Sequence, residues 1–97
     1  MNHYGAIAQE HWARWLPGQY AAIGDPDSFF EDLGNRASDR ITELADEIAG
    51  DMPPGEGYLE RVARLGQARR AAEEMVLHDM ILLEPEPGAD EDQDEES

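Results

Sequence analysis

Apolar residues in the middle of the chain recur every three or four positions, which is the period of an amphipathic helix. They fall within a sector of about 80° on a helical wheel. These residues are Phe30, Leu33, Ala37, Ile41, Leu44 and Ile48. Asp25 and Pro26 supply a cap and a first helical residue, and Gly50 followed by Pro53 and Pro54 supplies a stop. The pattern predicts one long helix with a single buried stripe.

A second helical pattern begins at about Glu56 or Gly57 and continues to Leu82, where the proline-containing segment Glu84 to Gly88 ends it. Its apolar residues lie on one side of the predicted helix. They are Tyr58, Leu59, Val62, Leu65, Ala72, Val76, Leu77, Met80 and Leu83. Because only a short loop separates the two long helices, we predict that they pack antiparallel as a hairpin.

The hairpin is expected to bring a group of arginines close to acidic residues. The segment between the two acidic blocks of the sequence contains four arginines and no acid. In an antiparallel pairing, Arg61 and Arg64 are expected to lie near three acids of the preceding helix. Those acids are Glu43, Asp46 and Glu47. Much of this positive charge is therefore expected to be used within the protein.

The N-terminal segment predicts a shorter helix, from about His3 to Leu16. One face of it carries Tyr4, Ile7, Ala8, His11 and Trp15. Trp12 lies at the edge of that face. Pro17 and Gly18 break the helix, and the residues from Gln19 to Ile23 are predicted to add one further turn.

These elements together predict an all-α fold, a small three-helix bundle that contains a long antiparallel helical hairpin. The helical domain is expected to span residues 1–83. Residues 84–97 are predicted to form a disordered acidic tail, because beyond Gly88 they contain no apolar residue larger than alanine.

The chain has a formal net charge of −16 over 97 residues, with no lysine and no cysteine. So negative a protein repels nucleic-acid phosphates and anionic lipid headgroups, and direct binding to nucleic acid or to a membrane is not expected. The lack of cysteine excludes a disulfide and a thiolate nucleophile. With no secretion signal and no apolar stretch of the roughly 20 residues that cross a bilayer, the sequence predicts a cytoplasmic protein.

Four acids of the long middle helix lie directly opposite its apolar sector. They are Asp32, Asp39, Glu43 and Asp46. Acids occur in this region at about one per 4.3 Å of helix, close to the 3.4 Å phosphate spacing of one DNA strand. This row, together with Glu47, is therefore a candidate partner-binding site that imitates a phosphate backbone. The simpler alternative is a solvated charged face, since Arg36 and Arg40 interrupt the row.

Two further groups of residues have both a chemical and a structural interpretation. Arg69 and Glu73 are four residues apart on the apolar side of the last helix and are predicted to pair there, near His11. A structural ion pair is favoured over an active site, because no nucleophile or second acid accompanies them. Glu74 and His78 have the spacing of two metal ligands, but two ligands do not make a site. The sequence predicts a non-enzymatic protein without a cofactor or a metal.

Aromatic residues cluster near the N-terminus. They are Tyr4, Trp12, Trp15 and Tyr20. Such residues usually supply the core of a small domain, and Trp15 is predicted to lie there. For Trp12 two interpretations remain, a core position or an exposed partner-binding residue.

Three short motifs carry a resemblance to a known family. They are Tyr4-Gly5, the spacing of Pro17 and Tyr20, and the stretch RRAAEEMV from Arg69 to Val76. In these motifs, across about residues 4–82, the chain resembles TnpV, a family of small transposon-encoded proteins. The resemblance implies residence on a mobile element and implies no reaction or catalytic residue. The family is rich in lysine where this chain has only arginine, so a charge-dependent partner does not follow from the resemblance.

The sequence therefore predicts a non-enzymatic acidic interaction protein of a mobile element or phage. Its expected partner is a basic nucleic-acid-binding protein or a defence nuclease, which it inhibits as a nucleic-acid mimic of the anti-CRISPR or anti-restriction type. The alternative is an accessory or scaffold protein for transposition that binds partners through an aromatic or apolar surface such as Trp12. A homodimer is possible in both cases.

Overall fold

The computed structural model describes residues 2–89, which form an all-α structure without a strand, as predicted. Four α-helices are followed by a short π-helical turn. They are α1 (His3–Trp15), α2 (Pro17–Ala21), α3 (Pro26–Ala49), α4 (Tyr58–Val76) and the π-helical turn (Leu77–Ile81). Helix α2 replaces the single turn predicted after Pro17. No helix among the described residues is long and apolar enough to cross a membrane.

Local sequence signals set both ends of α3. The Asp25 carboxylate accepts hydrogen bonds from the Ser28 backbone N–H at 3.3 Å and from the Ser28 hydroxyl at 2.9 Å. Pro26 then occupies the first helical position, where a missing N–H costs nothing. Gly50 ends the helix at a φ of 63°, a backbone conformation that favours glycine. The predicted boundaries of α3 therefore agree with the structure.

The core lies where α1 crosses α3 and the end of the hairpin. Its buried apolar residues are Ala8, Trp12, Leu16, Phe30, Leu33, Ala37, Ile41, Ala72, Val76 and Ile81. The first four residues of the predicted α3 stripe are among them, whereas Leu44 is half-buried and Ile48 is 44% exposed. The stripe is therefore buried at its first four positions and increasingly exposed towards the C-terminal end of α3.

Helices α3 and α4 form the predicted antiparallel hairpin, joined by the loop of residues 50–57. Helix α4 buries small residues, Ala68 and Ala72, together with Val76. Helix α1 packs against α3 and against the π-helical turn, so it covers the end of the hairpin that lies away from the loop. The described residues have principal extents of 54 × 33 × 16 Å, and the domain is long and flat.

Two side chains of α1 form hydrogen bonds with backbone carbonyls at and just after the end of the π-helical turn. The indole Nε1 of Trp12 donates to the Ile81 carbonyl at 2.9 Å, and Nε2 of His11 lies 2.8 Å from the Leu83 carbonyl. Since a carbonyl oxygen only accepts, His11 carries its proton on Nε2. These side chains satisfy carbonyls at a helix end, where intrahelical partners are missing.

The segment after the π-helical turn folds back onto α2. The Glu86 carboxylate accepts hydrogen bonds from the N–H groups of Gly18 and Gln19, each at 2.9 Å. The backbone N–H of Glu86 donates to the Trp15 carbonyl at 2.9 Å. The folded domain thus extends past the predicted boundary at residue 83. Of the predicted tail, residues 90–97 lie outside the described part of the chain.

Candidate interaction surfaces

The acidic row predicted from the sequence lies on the exposed side of α3. We call its five residues the acidic face, and all of them are exposed to solvent. They are Asp32, Asp39, Glu43, Asp46 and Glu47. At a rise of 1.5 Å per residue, the acidic face extends along about 22 Å of helix. The periodicity therefore placed these carboxylates correctly with respect to the core.

Two arginines of the same helix contact three of these acids. Arg36 Nε lies 2.9 Å from Asp32, whereas Arg40 Nη1 lies 3.6 Å from Glu43 and 3.9 Å from Glu47. All five side chains are about half exposed or more, and ion pairs of this kind contribute only about 0–1 kcal/mol each. Water and a partner can therefore compete for them readily.

The remaining two acids, Asp39 and Asp46, have no ion-pair partner among residues 2–89. Counted with Arg36 and Arg40, the acidic face retains a net charge of −3. Its negative charge is thus reduced by neighbours but not cancelled.

The predicted pairing of Arg64 with the acids of α3 is wrong. Its guanidinium instead makes a bidentate contact with Glu56, with Nε at 2.7 Å and Nη2 at 3.1 Å. Its Nη1 also donates to the Ala49 carbonyl at 2.6 Å, at the C-terminal end of α3. Arg61 is exposed and has no ion-pair partner in the described part of the chain. Helix α4 therefore leaves the acidic face free.

The contact between Arg64 and Glu56 fixes the loop of the hairpin. The Glu56 side chain is 5% exposed. The hydrogen bond from Arg64 lowers the pKa of Glu56, and the charges of Arg64 and Arg61 act in the same direction against the opposing effect of burial. The same bond raises the pKa of Arg64. Because Arg64 also binds the Ala49 carbonyl, one guanidinium ties the loop to both helices.

We expect Glu56→Gln to lower the urea midpoint of unfolding at pH 7 and to leave it almost unchanged at about pH 2. The lowered pKa of Glu56 stabilises the folded protein above the ordinary range of a glutamate carboxyl. That contribution is lost as the pH falls through the lowered pKa, so wild type and variant become equal in acid. Urea titrations followed by circular dichroism at both pH values measure the difference.

Glu60→Gln provides the matched control, since Glu60 lies in the first turn of α4 and is exposed. It removes the same charge without touching Arg64, and its effect should be small at both pH values. An equal loss of stability in the two variants would show that charge alone, and not this contact, is responsible.

Trp12 does not lie on an interaction surface, and the prediction of this residue as a partner-binding site is wrong. It is 8% exposed, and its ring lies edge-on to Phe30 with centroids 5.5 Å apart. The indole ring of Trp12 points from α1 towards α3 and fills the space between Phe29 and the end of α4. On the helical wheel Trp12 lies at the edge of the predicted apolar face of α1, whereas the face that the structure buries contains Gly5, Ala8 and Trp12.

Trp15, predicted to be in the core, is only half-buried. The Arg14 guanidinium lies 4.9 Å from the centroid of its ring, a cation–π contact. Trp12, for which a core position was one of two interpretations, thus lies in the core, whereas Trp15, for which the core was the prediction, lies at its edge.

The predicted pair of Arg69 and Glu73 does not form. Arg69 is exposed, Glu73 is half-buried, and no ion pair joins them. His11 binds the Leu83 carbonyl and so takes no part in such a pair. Ala68 and Ala72, and not their neighbours Arg69 and Glu73, are turned towards the core, which removes the burial on which the prediction depended.

Glu74 and His78 lie at the protein surface. His78 Nδ1 is 3.2 Å from Asp79 Oδ1, and both side chains are mostly exposed. Within residues 2–89 no three His, Cys, Asp or Glu side chains are grouped so that they could hold a metal ion.

A second exposed surface lies on the first half of α4, and the sequence assigned it to the core. We call its residues the α4 apolar face; they are Tyr58, Leu59, Val62 and Leu65. Tyr58 is 79% exposed and Leu59 is 80% exposed. The reason is rotational, since α4 turns the small residues Ala68 and Ala72 towards α3. On a helical wheel Ala68 and Ala72 lie about 110° and about 70° from the centre of the α4 apolar face.

Comparison with protein-family models, with curated proteins and with solved structures gave no match. The resemblance to the TnpV family therefore stays a prediction.

Proposed function

We propose that this protein is a non-enzymatic, acidic interaction protein that uses the acidic face of α3 to occupy the nucleic-acid groove of a basic partner. The observation that carries the proposal is the row of exposed carboxylates on one rigid helix. Asp39 and Asp46 are the central members of this row, because both are exposed and neither is neutralised by a described residue. A host nuclease or defence complex is the partner class that such a row fits.

The mechanism is competitive. A nucleic-acid groove is lined by arginine and lysine that normally contact phosphates, and the carboxylates of the acidic face supply replacement anions along about 22 Å of helix. Long-range attraction between the net charge of −16 and a basic groove accelerates the encounter. A helix fixed by its own hairpin and core presents these anions with little loss of conformational entropy on binding. A mobile element or phage that encodes this protein would be protected from cleavage by a nuclease whose groove is occupied in this way.

The proposal is tested by measuring binding of the full chain to a panel of purified nucleases and defence complexes from candidate hosts. A partner that is bound at the acidic face should release the chain when duplex DNA or its own guide RNA is added. The affinity should fall steeply between about 50 mM and 0.5 M salt. Lack of binding to every member of the panel, or binding that nucleic acid leaves unchanged, would overturn the proposal.

Charge-reversal variants test whether binding depends on the acidic face or only on the net charge of the protein. Asp39→Lys with Asp46→Lys is expected to weaken binding by about tenfold or more. The matched control is Glu60→Lys with Glu74→Lys, which changes the net charge equally at exposed positions of α4. The control should retain most of the affinity. Equal losses in the two double variants would mean that total charge, and not this helix face, determines binding.

We further expect Arg40→Gln to strengthen binding. Arg40 lies within 4 Å of Glu43 and of Glu47, and removing it frees both carboxylates for a partner. The association rate constant at low salt should rise about two- to threefold. Arg70→Gln, which makes the same change in net charge on α4, should leave the rate nearly unchanged. Stopped-flow or surface-based kinetics on the identified complex measures both.

The alternative, a scaffold protein for transposition, loses Trp12 as its binding residue, because Trp12 is buried. The exposed apolar surface that such a function requires lies on α4 instead. Exposure alone does not point to a transposition partner, so no observation favours the scaffold function over the acidic face.

A further inference from the structure

The α4 apolar face has the character of an interface and not of a solvated surface. Tyr58 and Leu59 are about four-fifths exposed, Val62 is 51% exposed and Leu65 is 42% exposed. Together these side chains expose on the order of 500 Å² of apolar area, the size at which a surface patch usually has a function. Ile48 and Met52, also exposed, lie at the same end of the hairpin.

We infer that this face binds a second copy of the same chain, and that two α4 helices pair antiparallel across a two-fold axis at Val62. On such an axis Val62 meets its own symmetry mate, and a residue that precedes Val62 meets the residue that follows it by the same number of positions in the other copy. Three of the four apolar residues fit this symmetry, because Leu59 lies three residues before Val62 and Leu65 lies three residues after it, whereas Tyr58 faces Gly66 of the other copy. Leu59 of one copy therefore packs against Leu65 of the other.

The area agrees with a dimer of modest stability. A specific interface buries about 800 Å² on each partner. The α4 apolar face supplies more than half of this, and the stems of flanking polar side chains on α4 supply the rest. The contact thus needs no rearrangement of the core.

Charge also favours this helix as the meeting point of two acidic molecules. Residues 56–72 contain two acids, Glu56 and Glu60, and four arginines, so this segment has a net charge of +2 within a strongly acidic chain even after Glu56 has neutralised Arg64. Pairing through α4 keeps the acidic faces of the two copies out of the contact. The repulsion that a net charge of −16 creates between copies is therefore weakest in this arrangement.

Sedimentation velocity on the full chain, from about 1 µM to 1 mM, tests the inference. A species of twice the 10.8 kDa mass should appear as the concentration rises. Val62→Glu places two carboxylates on the axis and should raise the dimer dissociation constant by more than about tenfold. Met75→Glu is the matched control, because Met75 is also 51% exposed but lies on another side of α4. Both variants should keep the helical circular dichroism of the wild type.

A monomer at every concentration would overturn the inference, and it would leave the α4 apolar face to a different protein. Equal dissociation constants for the two variants would overturn it as well. Because the chain contains no cysteine, Val62→Cys offers an independent readout. Mild oxidation should cross-link this variant rapidly and leave Met75→Cys largely unlinked, since a disulfide needs Cα atoms within about 7 Å.

Dimerisation and binding of a basic partner should respond to salt in opposite directions, so the salt dependence tests the two proposals separately. Raising the salt concentration screens repulsion between copies, so it should strengthen the dimer while it weakens binding of a basic partner to the acidic face. A dimer that dissociates in about 0.5 M salt would be held by charge, and the assignment to an apolar face would be wrong.

Discussion

Trp12→Ala is expected to lower the free energy of unfolding by about 3–5 kcal/mol, which is among the largest losses that a single core substitution causes. A domain of this size has only about 5–10 kcal/mol in total. The variant should therefore unfold at a much lower urea concentration than the wild type. Urea titration followed by far-ultraviolet circular dichroism measures the loss, with the same slope expected for both proteins.

The size of this effect has two physical sources. The indole fills the space between α1, Phe29, Phe30 and the end of α4, and alanine would leave a cavity there. The indole Nε1 is also the hydrogen-bond donor to the Ile81 carbonyl, which would be left without its partner inside the protein. Trp12→Phe keeps most of the ring and loses the donor, so it should cost clearly less.

Trp15→Ala is the control for Trp12→Ala. Trp15 is half-buried and lies under the Arg14 side chain, and its removal should cost less than about 1.5 kcal/mol. Equal costs for the two alanine variants would contradict the packing of α1 described above. A Trp12→Ala protein that remains fully folded and loses only partner binding would restore Trp12 as an interaction residue.

Gly34→Ala is expected to destabilise the protein by about 2–3 kcal/mol, although alanine is the better helix former by about 1 kcal/mol. A Cβ atom at residue 34 would lie 2.6 Å from the Gly5 backbone nitrogen and 2.8 Å from the Gly5 Cα, and it would also clash with the side-chain oxygen of Asn2. Backbone atoms cannot rotate away, so α1 would have to move off α3. The steric cost therefore exceeds the gain in helix propensity.

Gly66→Ala tests this comparison, because Gly66 is also inside a helix. A Cβ atom there would meet only the flexible end of Arg70, at 3.5 Å. Without a clash the propensity gain remains, and the variant should be more stable than the wild type by about 0.5–1 kcal/mol. Thermal unfolding of both glycine variants at low micromolar concentration gives the two signs. Destabilisation of both would mean that sterics at Gly34 are not the cause.

The sequence predicted the features that depend on neighbouring residues. Asp25, Pro26 and Gly50 set the ends of α3 through local backbone chemistry, and the structure agrees at both ends. The exposed position of the acidic face followed from the same helix, since a helix that buries Phe30 and Ile41 must expose the opposite side. No knowledge of tertiary contacts was needed for either.

The errors concern contacts between elements. In an antiparallel hairpin several acids lie close enough to pair with Arg64. The path of the loop, which the sequence does not predict, places Glu56 nearest to it. The rotation of α4 follows from close packing of Ala68 and Ala72 on α3. The periodicity of the sequence predicted a different rotation, because the large apolar residues determine the apolar side of a helical wheel. The sequence could not decide between a core and an exposed position for Trp12 for a related reason, since its burial depends on contacts with α3 and with the Ile81 carbonyl.

The contact of Trp12 with Ile81 joins residues that are 69 positions apart, and Glu86 binds Gly18 and Gln19 across a similar distance. During synthesis at about 5–20 residues per second, α1 therefore waits for several seconds before its binding site exists. The core closes only after Ile81 has left the ribosome. A polypeptide that terminates before Ile81 lacks the packing partners of Phe30 and Trp12, and we expect proteases to degrade it faster than a chain that contains them.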